Sequence, residues 1–216
     1  MAEFSLPVHL RPPALGPKDL SSRAAQILDE MGNVFITEGF KHLTIADLAS
    51  RLQCSRRTLY EIAPNRTELV LIAIDRRLRR VGRVGAERLH SITDPRELLE
   101  QYMLAGQSEV YRTDVRFTED AARDPAVTRL MTDHFRYHVA IVQAIIEYGI
   151  DQGAFRKVNT RVVAEVIDAS LARFADPDFG HATAGMTFED ATTELVPLLL
   201  AGIDVASRFT PVASTR

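Results

Sequence analysis

The chain has 216 residues, of which 46% are hydrophobic and 25% charged, a balance typical of a folded protein rather than a disordered one. Its single cysteine, Cys54, excludes an intramolecular disulfide and a cysteine-based zinc cluster, and no apolar run approaches the ~18 residues of a membrane-spanning helix. The net charge of −3 divides into +4 over residues 1–90 and −7 over residues 91–216, which favours the N-terminal part as the one that meets a polyanion.

The N-terminal segment contains four prolines and no periodic pattern, so we predict a flexible arm over residues 1–17. It also lacks the basic stretch followed by an apolar core that marks a signal peptide. We therefore expect a cytoplasmic protein.

Beyond the arm, apolar residues recur at steps of three and four almost to the end of the chain, which is the spacing of amphipathic helices. Residue types that favour N-caps mark the helix starts, and Gly39 and Gly153 mark two helix ends. No segment alternates as a strand does, so we predict an all-α fold. Nine helices are predicted, over residues 19–38, 44–52, 56–62, 65–89, 94–111, a short stretch after 114, 124–150, 160–174 and 187–209.

Two short helices joined by a tight turn are predicted, with Thr44 capping the first and Ser55 capping the second. Their inner sides are apolar and are supplied by Ile45, Leu48, Ala49, Leu52, Leu59 and Ile62. This pattern leaves Arg56, Arg57 and Tyr60 on one outward face of the second helix. An α-helix fits the major groove of B-DNA, where arginine can bind guanine through two hydrogen bonds, and tyrosine hydroxyls can bind phosphate oxygens. We therefore interpret this segment as a DNA-binding helix-turn-helix.

Several motifs within residues 27–70 resemble the DNA-binding domain of TetR-family transcriptional regulators. They lie at matching mutual spacing and are Glu38-Gly39-Phe40, Thr44-Ile-Ala-Asp-Leu-Ala49, Ser55-x-x-Thr-Leu-Tyr60, Pro64-Asn-Arg66 and Glu68-Leu69. In addition, Gly149-x-x-x-Gly153-Ala-Phe-Arg156 is similar to the end of the long seventh helix of that family.

The resemblance implies a two-domain chain, with a helix-turn-helix domain over residues 18–64 and a helical regulatory and dimerisation domain over residues 65–216. It also implies the DNA-binding residues: Thr44, Tyr60 and Arg66 would bind phosphate, while Arg56, Arg57 and Thr58 would face bases or nearby backbone. Ser55, at the start of the second short helix, offers backbone N–H groups that suit phosphate.

Some positions depart from the family pattern. The family often has glycine where Arg57 stands, and aromatic residues or histidine where Glu61, Ile62 and Ala63 stand. Because a carboxylate at position 61 would repel phosphate if it faced the DNA backbone, no contact of the family is carried over to Glu61. The operator sequence therefore does not follow from the resemblance.

The resemblance also implies a small-molecule cavity in the C-terminal domain and a homodimer formed by the last two helices. Candidates for an effector pocket, which is mainly apolar with a few polar groups, are Tyr102, Met103, Tyr111, Phe117, Met131, His134, Phe135 and His138. The apolar surface of the last two helices suits a symmetric four-helix interface, with Val163, Ile167, Leu171, Phe174, Leu195, Leu199 and Ile203 as candidates. We expect a repressor that leaves a roughly palindromic operator when the effector binds.

The alternative is an all-α interaction module or cofactor-binding bundle that uses the basic helix face on an acidic partner. The sequence has no glycine-rich phosphate loop, nucleophile elbow or metal-ligand cluster, so we expect no enzymatic activity, cofactor or metal. The arginines between Arg76 and Arg83 are expected to form a solvated surface. Cys54 is expected to be a buried filler of the turn rather than a redox switch.

Overall fold

The computed structural model describes residues 4–110, 113–174, 176, 179, 183 and 185–205, with residues 106–110 described by their backbone alone. These residues contain a 3-10 turn at Val8–Leu10, one isolated bridge between Phe155 and Asp204, and nine α-helices. The helices are α1 (Ser22–Glu38), α2 (Ile45–Arg51), α3 (Arg56–Ile62), α4 (Arg66–Leu89), α5 (Pro95–Val110), α6 (Val115–Ala122), α7 (Pro125–Asp151), α8 (Thr160–Phe174) and α9 (Phe188–Ile203). The prediction of an all-α fold is confirmed. None of the helices described is both long and apolar enough to cross a membrane.

Helix α1 begins later than the sequence pattern predicts. Ser21 has an extended backbone, and its hydroxyl oxygen accepts a hydrogen bond from Ala24 N at 3.2 Å. This cap sets the first helical residue at Ser22 rather than at position 19.

Helix α9 ends earlier than predicted. Asp204 is extended and forms the bridge with Phe155, while Arg156 N donates to Ile203 O at 2.8 Å. These contacts end the helix at Ile203 rather than near residue 209; residues 206–209 lie outside the described part of the chain.

The chain divides into two compact units, and the first comprises Leu10–Val84 and Glu109–Tyr137. Its core is one apolar cluster to which α1, α2, α3, α4, α6 and α7 all contribute. The largest fully buried side chains in it are Phe35, Phe40, Ile27, Leu28, Met31, Leu48, Leu59 and Leu69. Burial of each such side chain contributes about 1.5–3 kcal/mol, so this cluster fixes how the short helices α2 and α3 are held.

The end of α1 is fixed by a glycine and by a distant carboxylate. Gly39 adopts a φ of 78°, which favours glycine, and its N–H donates to Phe35 O at 2.9 Å. The next two backbone N–H groups, of Phe40 and Lys41, donate to Asp120 Oδ2 of α6 at 2.7 and 2.8 Å. This carboxylate orders the loop that leads into α2.

The second unit comprises Met1–His9, Gly85–Ser108 and His138–Arg216. The end of α7 packs tightly here, since a Cβ on Gly149 would lie 2.1 Å from the ring of Phe155. Arg96 of α5 forms a two-point ion pair with Asp204, which includes a hydrogen bond of 2.8 Å from Nη2 to Oδ1. Helices α8 and α9 pack against each other in this unit.

The part of the predicted N-terminal arm that belongs to the first unit packs against α4 and α7. Leu15 N donates to Asp75 Oδ2 at 3.0 Å, and Arg79 Nη2 donates to Pro12 O at 2.6 Å. The guanidinium of Arg11 lies 5.6 Å from the centre of the Tyr137 ring. The predicted flexibility of residues 1–17, and the domain boundaries at 18–64 and 65–216, stay predictions.

Candidate nucleic-acid interface

Helices α2 and α3 form the helix-turn-helix. Thr44 Oγ1 accepts from Asp47 N at 3.2 Å, and Asp47 Oδ2 accepts from Thr44 N at 2.8 Å, which completes a capping box at the start of α2. The hydrogen bonds that Thr44 donates from its side chain and backbone hold the pKa of Asp47 below its usual value. The turn places Gln53 at a φ of 47°, and Cys54 N donates to Ala49 O at 3.0 Å.

Helix α3 is sealed on one side and open on the other. Leu59 is fully buried and Ile62 is 5% exposed, so the inner side belongs to the core of the first unit. On the outer side, Tyr60 is 52% exposed, the Arg57 side chain is 88% exposed, and Arg56 is also exposed. The structure therefore places Arg56, Arg57 and Tyr60 together on the exposed face of α3. The opposite face of the helix is packed into the core.

The N-cap of α3 uses two of the residues singled out from the sequence. Ser55 Oγ accepts from Thr58 N at 3.0 Å and lies 2.9 Å from Thr58 Oγ1. The hydroxyls of Ser55 and Thr58 thus order the first turn of α3, and a DNA contact by either residue stays a prediction.

Arg66 has a structural role that the sequence did not indicate. Its guanidinium donates to Leu43 O at 2.9 Å, to Phe40 O, and to Lys41 O at 3.4 Å. Because these donors serve the loop after α1, Arg66 fastens the start of α4 to that loop. Its predicted phosphate contact has to use the guanidinium hydrogens that remain.

The ion pair between Arg57 and Glu61 was also not predicted from the sequence. Glu61 Oε1 accepts a hydrogen bond from Arg57 Nε at 3.0 Å, one helical turn away on α3. This i,i+4 spacing is the sequence signal that identifies the pair.

The expectation of a solvated arginine surface on α4 is wrong for three residues. Arg76 binds both carboxylate oxygens of Asp29 at 2.8 and 2.9 Å, and Arg77 donates to Asn33 Oδ1 at 3.0 Å. Arg79 donates to Asp75 Oδ2 at 2.7 Å. Arg76 and Arg77 join α4 to α1, and Arg79 joins α4 to the N-terminal arm through a second hydrogen bond, to Pro12 O at 2.6 Å. The acceptors on α1 and in the arm are distant in the sequence, whereas Asp75 lies one turn away on α4 itself.

Two of the candidate effector residues form a contact in the second unit. The rings of Tyr102 and His138 stack with centroids 5.2 Å apart, and the Tyr102 hydroxyl lies 3.1 Å from His138 Nδ1. Burial lowers the pKa of His138 to about 4, so its imidazole is neutral at pH 7. His138 Nε2 is buried without a hydrogen-bond partner among the described residues. Met103, on the same helix as Tyr102, is buried.

The other effector candidates lie in the first unit or beyond the described chain. Phe117 packs edge-on against Phe40 with ring centroids 6.0 Å apart, and Met131 packs on the same core. His134 Nε2 lies 2.9 Å from Asp75 Oδ1, whereas Phe135 is 47% exposed. Phe117 and His134 therefore have structural contacts that account for their positions. Tyr111 lies outside the residues that the structure describes.

The candidate dimer residues divide between the core and the surface. Ile167 and Ile203 are buried within the second unit, so these two have no surface to offer a partner. Val163, Leu171, Phe174, Leu195 and Leu199 are half-buried. The largest exposed apolar side chains of α8 and α9 are instead Val162, Val166 and Leu198, at 56%, 50% and 69% exposure.

No protein-family model matches the chain, and no curated protein does either. Solved structures do match. A TetR-family regulator from Cytophaga hutchinsonii has a TM-score of 0.69 at 19% identity, with 87% of this chain and 99% of that chain covered. A protein from Saccharomonospora viridis, described as a transcriptional regulator and solved with choline, has a TM-score of 0.66 at 19% identity, covering 85% and 99%. AibR, solved with isovaleryl coenzyme A and operator DNA, has a TM-score of 0.59 at 17% identity, covering 83% and 98%.

The likeness extends over most of the chain and over nearly the whole of each of these structures. The chain therefore has the fold of TetR-family transcriptional regulators.

Proposed function

We propose that this protein is a homodimeric, sequence-specific DNA-binding regulator of transcription. The observation that carries the proposal is the outer face of α3, where Arg56, Arg57 and Tyr60 are exposed while Leu59 and Ile62 seal the opposite side. An exposed basic helix braced in this way fits the major groove of B-DNA.

The side chains on the outer face of α3 suit two kinds of DNA contact, one with bases and one with phosphates. An arginine such as Arg57 can hold a guanine through O6 and N7, whereas the hydroxyl of Tyr60 suits a phosphate oxygen. The N–H groups at the starts of α2 and α3 add favourable sites for phosphate. Base contacts would give the sequence preference, and phosphate contacts would give register and salt dependence.

A dimer would present two such helices to one side of a duplex. The exposed side chains of Val162, Val166 and Leu198 supply an apolar face on α8 and α9 that a second copy can cover. Two symmetric copies predict a roughly palindromic operator whose half-sites lie about 34 Å apart.

We further propose that the protein is a repressor released by a small molecule that binds the C-terminal part. Two proteins of the same fold were solved with small molecules, choline in one and isovaleryl coenzyme A in the other. In this chain, Tyr102 and neutral His138 are polar groups suited to orient such a ligand. Release requires that the ligand bind the DNA-free conformation more tightly than the DNA-bound one.

The central test is binding of the full-length dimer to duplexes selected from a random library, followed by fluorescence anisotropy across a range of salt concentrations. We expect Arg57→Ala to weaken binding to the selected duplex about tenfold or more, because a bidentate base contact is lost. Tyr60→Phe should weaken binding to all duplexes by the same factor, whatever their sequence, because phosphate carries no sequence information.

Arg123→Ala is the matched control, since Arg123, the residue that follows α6, forms the same kind of exposed i,i+4 ion pair with Glu119. It should bind as the wild type does. If the wild type binds no duplex but does bind an acidic protein partner, the proposal of a DNA-binding regulator is wrong and the protein is an interaction module. The proposal of a small-molecule effector is tested by screening a metabolite library for compounds that lower the affinity of the protein for the selected duplex.

A further inference from the structure

A carboxylate stands on the exposed side of α3, where the proposed function requires an approach to phosphates. Glu61 and its partner Arg57 are 61% and 88% exposed, and their hydrogen bond is 3.0 Å long. Ion pairs this exposed contribute little to folding stability, because water screens the charges and the side chains lose freedom. Stability therefore gives no physical reason for a negative charge at this position.

The hydrogen bond orients the guanidinium of Arg57. It occupies Nε, and within the described residues Arg57 has no other hydrogen-bond partner. The two terminal nitrogens thus keep the pair of donors that matches O6 and N7 of guanine. A guanidinium held in one orientation before binding loses less conformational freedom when it contacts a base.

The carboxylate of Glu61 also has a base preference of its own. An ionised carboxylate only accepts hydrogen bonds, and in the major groove cytosine offers the N4 amino donor. Guanine presents two acceptors and thymine presents one, so both would repel the carboxylate. Adenine also offers an amino donor, N6, but beside the N7 acceptor, which would repel the carboxylate. Glu61 is thus best suited to cytosine and is expected to penalise guanine and thymine.

We propose that Arg57 and Glu61 form one base-reading unit, in which Arg57 binds guanine and Glu61 accepts a hydrogen bond from cytosine N4. This inference rests on the proposed function. One helical turn rises about 5.4 Å and a base-pair step about 3.4 Å, so the two bases lie within about two steps of each other. On sequences that offer Glu61 no cytosine amino group, base acceptors repel its carboxylate, which lowers non-specific affinity.

The test compares Glu61→Gln with the wild type in full-length form, by sequencing the duplexes that each selects from a random library and by competition with non-specific DNA at fixed salt. Glu119→Gln, which removes the same charge from the exposed i,i+4 pair of α6, is the control. Circular dichroism checks that each variant keeps its helicity, which is expected because Glu61 is exposed.

We expect the wild type and Glu119→Gln to select a guanine and a nearby cytosine in each half-site. Glu61→Gln should lose the cytosine preference, bind non-specific DNA a few times more tightly, and lower the ratio of specific to non-specific affinity about tenfold. Identical base frequencies for Glu61→Gln and the wild type, or an equal change on all duplexes, would overturn the base-reading unit while leaving the proposed function intact. Failure of the wild type to bind any duplex would overturn both.

Discussion

Removal of the Asp75 carboxylate should destabilise the first unit far more than removal of an exposed carboxylate. Asp75 is 1% exposed, and it accepts hydrogen bonds from His134 Nε2 at 2.9 Å, Arg79 Nε at 2.7 Å and Leu15 N at 3.0 Å. Burial alone would raise the pKa of Asp75, but the hydrogen bonds from His134, Arg79 and Leu15 hold it below its usual value. The carboxylate is therefore ionised at neutral pH, and His134 Nε2 carries the hydrogen between them.

The expected magnitude follows from what the substitution leaves behind. Asp75→Ala removes the acceptor from the side chains of Arg79 and His134, which are only 22% and 13% exposed. Loss of one partner from a buried charged network costs about 3–5 kcal/mol, and we expect a decrease in the free energy of unfolding within that range. Asp75→Asn keeps the volume and one acceptor oxygen, so its cost should be smaller, about 2 kcal/mol.

Urea unfolding at pH 7, followed by circular dichroism, measures these changes. Asp133→Ala is the control, because its pair with Arg136 is exposed and should contribute less than about 1 kcal/mol. Since folding lowers the pKa of Asp75, its contribution is present above about pH 4 and is lost as the pH falls through the folded pKa. A cost for Asp75→Ala no larger than that of the control would refute the reasoning.

Two further predictions concern the second unit. Folding lowers the pKa of His138 from 6.5 to about 4, so stability should be complete above pH 6.5 and should fall by about 2 kcal/mol at pH 5. Urea unfolding at pH 7 and pH 5 measures this loss, and the same difference in His138→Gln would show that another group causes it. Val166→Asp should weaken dimerisation at least about 100-fold without loss of helicity, because it places a charge in the proposed apolar interface. Sedimentation of an unchanged dimer would show that this face is not the interface.

The sequence was sufficient where a residue's role depends on its neighbours in the chain. Gly39 ends α1, and Thr44 and Ser55 cap α2 and α3, as the local pattern indicates. The exposed face of α3 follows in the same way, because helical periodicity alone separates Leu59 from Tyr60.

Contacts between distant parts of the chain could not be predicted. The acceptors for Arg76 and Arg77 lie 47 and 44 residues earlier, on α1, and a run of arginines does not reveal them. On α8, both Ile167 and Val166 are apolar, so the sequence alone did not decide that Ile167 is buried and Val166 exposed. That choice depends on which neighbouring helices cover each side.

Arg66, Arg76 and Arg77 together attach α4 to α1 and to the loop that follows it. Arg66 donates to carbonyl groups of the loop that follows α1, and Arg76 and Arg77 bind the side chains of Asp29 and Asn33 on α1. Helix α4 has 24 residues and is about 36 Å long, so a tilt of about 5° displaces one end by about 3 Å relative to the other. Because these hydrogen bonds and the shared core join α4 to α1, α2 and α3, we expect such a tilt to move the three N-terminal helices together.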